Sequence, residues 1–106
     1  MKQPEPPKAY TTFVERFPKL GEAWERIAEA GQEGPLDERT QRLIRLGVAI
    51  GALREGAIRS SVRKALAMGI DRQAIEQVIA LGAGTIGLPS AVAVHSWIND
   101  LGIPEA

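Results

Sequence analysis

Apolar residues recur along this chain at helical spacing, and no stretch alternates at the two-residue period of a strand. Phe13 and Val14, flanked by Tyr10 and Phe17, predict a short helix over 11–16 that Pro18 ends. Trp24, Ile27 and Ala28 fall at i, i+3 and i+4, with Glu22, Glu25, Arg26 and Glu29 on the opposite side, and predict a second helix over 21–30. The glycines and proline of 31–35 read as a turn. Asp37 is a candidate N-cap for a third helix, with Glu38 in its first turn. That helix begins amphipathic and becomes apolar all round over 47–53, which predicts burial inside the domain or between subunits. Gly47 and Gly51 share one face of it. Each costs roughly 1 kcal/mol of helix propensity, and close approach of another helix is the expected compensation.

Gly56 predicts a break, after which a fourth helix runs to Met68 and stops at Gly69. A fifth starts from Asp71 as N-cap and packs through Ile75, Val78, Ile79 and Gly82. A sixth begins near Pro89, carries Ala91, Val92, Val94, His95 and Ile98, and closes at Gly102 and Pro104. The fold class is all-α, about six helices in one domain over 10–102. An extended, mobile lead over 1–9, holding Pro4, Pro6 and Pro7, precedes it, and a short tail over 103–106 follows.

The uncharged run 78–94 is only just long enough to cross a bilayer. It is interrupted by Gly82, Gly84, Gly87 and Pro89, so it reads as two buried helices and no membrane span is expected. No charged-then-apolar leader opens the chain, and the expected compartment is the cytoplasm. Thirteen Lys and Arg balance thirteen Asp and Glu, which argues against a dedicated nucleic-acid partner. Aromatic residues make up only 5% of the chain, so the core must be aliphatic. The chain has no cysteine, which removes disulfides, thiolate metal sites and thiol nucleophiles, and its single histidine removes histidine-rich metal clusters. No metal and no cofactor is expected.

If one helix covers 54–65, Arg54, Ala57 and Ser61 share a face, with Ser61 on or beside the apolar side. Arg59, Arg63 and Lys64 then point elsewhere, onto a solvated face or a salt-bridged interface. At this point the chain resembles a known family. Phe13, the run Phe17-Pro18-Lys19-Leu20, then Gly34-Pro35-Leu36-Asp37 and Leu43-Ile44-Arg45-Leu46 are similar in order and spacing to the carboxymuconolactone decarboxylase superfamily, which includes the alkyl hydroperoxidase D-like proteins. So are Val62-Arg63-Lys64-Ala65-Leu66-Ala67-Met68-Gly69-Ile70-Asp71 and Gly87-Leu88-Pro89-Ser90-Ala91. The resemblance covers about residues 10 to 98. It implies an all-α fold assembling as homotrimers or homohexamers.

The peroxidase branch of that superfamily uses Glu-x11-Cys-x2-Cys-x3-His, with a glycine eight residues beyond the His. Two cysteines one helical turn apart can form a disulfide, while the Glu and His relay the proton that activates the thiol. Counting back from Gly69 puts Ser61 at the His position, Ala57 and Arg54 at the two Cys positions, and Arg42 at the Glu position. All four are replaced. The decarboxylase branch keeps the His as well, and a serine without an adjacent base cannot do its work near neutral pH. The resemblance therefore carries the fold and not the thiol chemistry.

Arg42 and Arg54 bring positive charge to the positions of an acid and a thiol, and a partly buried guanidinium needs an anion. Arg42, Arg54 and Ser61 are therefore the candidate ligand-binding residues, for a small carboxylate or phosphate, with Ser61 donating a hydrogen bond. The plainer reading is ion pairing with Glu38 or Glu55, or simple exposure. His95 is a candidate proton shuttle, against a hydrogen-bonded surface or interface role. Glu55 is a candidate acid or base, against pairing with a neighbouring Arg. The expectation is a non-redox relative that binds a small anionic ligand or acts as an oligomeric scaffold. The alternative is a cysteine-independent decarboxylase or isomerase acting on a lactone or carboxylate. Self-association as a trimer or hexamer is the expected partnership, because the run 78–94 and the apolar half of the third helix exceed what one small domain can hide.

Overall fold

The computed structural model describes residues 7–103. Six helices follow one another: α1 (Lys8–Arg16), α2 (Pro18–Gln32), α3 (Glu38–Gly51), α4 (Glu55–Ala67), α5 (Arg72–Ile86) and α6 (Leu88–Asn99), with no strand among the described residues. The all-α expectation holds. Most of the proposed mobile lead and tail, residues 1–6 and 104–106, lies outside the described residues, and α1 begins at Lys8, inside the stretch expected to be extended.

Local chemistry sets the helix ends. Asp37 accepts a hydrogen bond from the Thr40 amide at 2.7 Å and caps α3. Asp71 accepts one from the Ala74 amide at 2.9 Å and caps α5. The Thr40 amide also holds the Asp37 carboxyl below its ordinary range. Pro18 both stops α1 and opens α2 as an early residue, where its missing N–H costs nothing. At the end of α4, the Ile70 amide returns to Ala65 O and the Gly69 amide to Leu66 O, each at 3.0 Å. Gly69 sits at φ 87°, the left-handed position that this closure requires.

The α3–α4 boundary differs from expectation. The break falls at Ala52–Arg54, and Gly56 lies inside α4. Leu53 takes the left-handed turn at φ 53°, the only non-glycine at positive φ among the described residues. Its amide bonds to Ile50 O at 2.9 Å and the Arg54 amide to Ala49 O at 3.3 Å, the same closure that Gly69 makes. A Cβ in this conformation is strained by roughly 1–2 kcal/mol.

Helices α3 to α6 form the core. α3 packs against α4 and α5, and α6 packs against α5 and α4. Leu46 and Ile50 of α3, Ile58, Val62 and Ala65 of α4, Ile75 and Ile79 of α5, and Ala91, Val94 and Ile98 of α6 are buried together with Ile70. Each fully buried Val or Ile stabilises by about 1.5–3 kcal/mol. α1 and α2 pack on each other but bury no residue. Phe13 and Phe17 meet at 5.1 Å, and Arg16 lies over the Phe17 ring. The apolar second half of α3 is only half covered: Ile50 is 1% exposed, while Val48 is 67% exposed and Gly51 also faces outward. Of the two expected covers, the domain's own core and a neighbouring subunit, the chain itself therefore does not supply the first on that face. Among the described residues no helix is long and apolar enough to cross a membrane.

Candidate functional site

The tight turn at Leu53 sends α4 back along α3. Residues equally far from Leu53 then lie level with each other across the hairpin, since both helices rise 1.5 Å per residue. Arg42 and Lys64 are each eleven residues from Leu53, and Arg45 and Ser61 are each eight. This turn puts Arg42, Arg45 and Lys64 together. Burial first, and the Arg45 charge second, push the Arg42 guanidinium below its ordinary value. Burial first, then the charges of Arg42 and Arg45, push the Lys64 ammonium down likewise.

No described carboxylate forms an ion pair with any of the three. The expected Glu38–Arg42 pair does not form. Arg42 Nε is enclosed with no hydrogen-bond partner, the one such side-chain atom among the described residues. A Cβ on Gly31 would come within 2.9 Å of Arg45 Nη2, so the Arg45 side chain lies against the C-terminal turn of α2. That turn holds no basic residue of its own, and the negative end of its dipole offsets part of the Arg45 charge. Arg42 and Lys64 have no such partner.

The sequence-predicted ligand set is only partly brought together. Ser61 is buried, 6% exposed, on the α4 side of this region. Arg54 is not on a helical face with Ala57 and Ser61. It is the exposed residue just before α4, at the far end of the hairpin, on the order of 14 Å along the axis from Arg42. Lys64, expected on a solvated face or a salt-bridged interface, is partly buried instead, one helical turn beyond the buried Ser61. Arg45 and Lys64 are the members that sequence reasoning missed. The equal spacing of Arg42 and Lys64 about residue 53, with Arg45 one turn along α3 from Arg42, was the available signal.

The two candidate proton-transfer residues lie elsewhere. Glu55 opens α4 and pairs with Arg59 at 3.0 Å, and Arg59 also reaches Asp100 at 3.6 Å. His95, on α6, belongs to a network on α5. Its Nε2 lies 2.8 Å from Glu76 Oε2, and its Nδ1 lies 3.4 Å from Asn99 Nδ2. Arg72, 6% exposed, donates to the Ile103 carbonyl at 2.9 Å and to Asn99 Oδ1, and pairs with Glu76 at 3.4 Å. Because Asn99 Oδ1 accepts from Arg72, its amide nitrogen faces the His95 Nδ1 lone pair. The neutral ring then carries its proton on Nε2 and donates it to Glu76. Both ring nitrogens are engaged within the network. The His95 hydrogen bond first, with help from the Arg72 charge, holds the Glu76 carboxyl below its ordinary value.

Compared with known proteins, residues 18–100 match the carboxymuconolactone decarboxylase family. The chain belongs to that family. No curated protein and no solved structure matches it significantly. The matched residues contain no cysteine. Three neighbouring cations are suited to holding an anion. They have no thiol to oxidise. Among the described residues no cluster of His, Asp and Glu could hold a metal ion.

Proposed function

We propose that this family member binds a small anion, a carboxylate or a phosphate, between α3 and α4 through Arg42, Arg45 and Lys64. One observation carries the reading: two partly buried cations stand beside a third with no carboxylate partner, and Arg42 Nε is left unsatisfied. Desolvating like charges beside one another is unfavourable, and a bound anion removes that penalty while supplying the missing acceptor. The planar guanidinium of Arg42 suits a two-oxygen ligand, and Lys64 supplies a compact point charge beside it. Ser61 remains a candidate hydroxyl donor to the same ligand, while Arg54 lies too far along the hairpin to contribute.

Binding is favoured over a decarboxylase or isomerase reaction by where the acid–base candidates sit. Glu55 is paired at the other end of α4, and both His95 nitrogens are engaged on α6. Thermal unfolding in inorganic phosphate, a dicarboxylate and chloride at matched ionic strength tests the reading. Ligand at tenfold its dissociation constant contributes about 1.4 kcal/mol, which raises the midpoint of a domain this size by roughly 5–10 °C. Phosphate or dicarboxylate should produce that rise, and Arg42→Met or Lys64→Met should abolish it. Equal midpoints in all three salts would remove the proposal.

A further inference from the structure

The geometry points to Lys64 as the nucleophile of a covalent ligand site: its amine forms a reversible imine with the carbonyl carbon of a 2-oxo acid whose carboxylate is held by Arg42. The inference rests on the anion site proposed above and adds the chemistry of its third cation. A lysine on an open surface is protonated near neutral pH and a poor nucleophile. Removal from water and a neighbouring positive charge both disfavour the ammonium and leave a reactive lone pair. Lys64 has both. It is half-buried on α4, whereas Lys8 and Lys19 are exposed. Arg42 and Arg45 act on it from α3, and no described carboxylate pairs with any of the three. Burial, more than the two guanidiniums, pushes its ammonium below the ordinary value.

The ligand class follows from where the groups stand. Arg42 and Lys64 are each eleven residues from Leu53, so they share one level of the hairpin, where an offset of a single turn would separate them by about 5.4 Å along the axis. α3 and α4 pack directly, and packed helices lie about 8–10 Å apart, a gap that two long side chains close between them. The group that Arg42 holds and the carbon that Lys64 attacks must therefore be close neighbours in the ligand. In a 2-oxo acid they are bonded to each other. Arg42 Nε is enclosed with no acceptor, and a carboxylate supplies one. The step needs no further reactant. Lys64 gives one ammonium proton to solvent, and its lone pair attacks the carbonyl carbon. The carbonyl electron pair moves to oxygen, which takes a proton from the nitrogen. The nitrogen lone pair then expels that hydroxyl, which takes up the solvent proton and leaves as water. Ammonium and ketone become protonated imine and water, and the positive charge stays on the nitrogen.

Trapping with pyruvate and sodium cyanoborohydride tests it. Hydride reduces the imine to a stable secondary amine, and mass spectrometry of a proteolytic digest reads each lysine separately. Lys8 and Lys19 serve as references within the same chain, because the ratio of Lys64 to either cancels the intrinsic reactivity of the carbonyl compound. With pyruvate, Lys64 should label faster than either by at least about tenfold, the factor that one charge-assisted hydrogen bond to the carboxylate supplies. Methyl pyruvate, which lacks that charge, should lower the ratio by about the same factor. So should saturating inorganic phosphate, which needs no variant, and Arg42→Met, with circular dichroism at 222 nm reporting its fold. Equal labelling of the three lysines by pyruvate overturns the proposal. So does a preference for Lys64 that the methyl ester shares in full. Saturable phosphate binding alongside unselective labelling would refute the nucleophile and leave the anion site standing, whereas phosphate that neither binds nor protects Lys64 would remove both.

Discussion

Replacing Arg72 by Met tests the polar network that ties α5, α6 and the segment after α6 together. Met keeps much of the aliphatic volume, so little cavity forms and the change isolates the guanidinium. The substitution removes a 2.9 Å hydrogen bond to the Ile103 carbonyl, another to Asn99 Oδ1, and the 3.4 Å ion pair with Glu76. A hydrogen bond from a charged donor contributes about 1.5–3 kcal/mol, and breaking a buried ion pair costs about 3–5 kcal/mol. The second figure is discounted here, because Glu76 is 38% exposed and keeps His95 as a donor. The buried guanidinium also no longer needs desolvating. The net loss expected is about 2–4 kcal/mol, a large share of the roughly 5–15 kcal/mol holding a domain of this size. Urea unfolding followed at 222 nm, at one fixed protein concentration, should show the midpoint falling by about 1–3 M with an unchanged slope. Arg72→Lys keeps the charge but not the fork, and should fall between. A midpoint within about 0.3 M of the parent chain would show that the network contributes nothing measurable.

Two pH dependences follow from the same geometry. Glu76 has a depressed carboxyl value in the folded state, so its contribution is present above the ordinary 4.5 and is lost as pH falls through the lower folded value. The stability of Glu76→Gln should therefore fall less steeply with acid than that of the parent chain; superimposable acid limbs would refute the pairing with His95 and Arg72. Lys64 has a depressed ammonium value, so below the ordinary 10.5 the unfolded chain holds its proton more tightly, and anion-free stability should rise as pH climbs through the folded value. Lys64→Met should be more stable than the parent chain near neutral pH, with the gap closing as alkali discharges the lysine; a constant gap would place Lys64 in solvent.

How much of this was legible in the sequence depended on the range of the interaction. Asp37, Asp71 and Gly69 act on amides within a few residues, and their roles could be read directly from residue type and position. Gly56 misled because glycine is the usual left-handed residue, yet here Leu53 takes that conformation three positions earlier. The error propagated: with the turn at 53, Lys64 comes level with Arg42 and Arg54 falls at the opposite end, which changes the membership of the cationic site. His95 and Asn99, like Arg72 and Glu76, are spaced i, i+4, but only the packing of α5 on α6 turns two pairs into one network. The apolar half of α3 was expected to be covered, and Val48 and Gly51 show that the chain alone does not supply the cover.

The central claim is that a cysteine-free hairpin in this family has become an anion site. Isothermal titration of inorganic phosphate into the parent chain, Arg42→Met, Lys64→Met and Arg54→Met at constant ionic strength tests it most directly. The account predicts saturable binding at one site per chain, weakened at least tenfold by either of the first two substitutions and unaffected by the third. Heats of dilution alone in the parent chain, or one affinity shared by all four proteins, would contradict it.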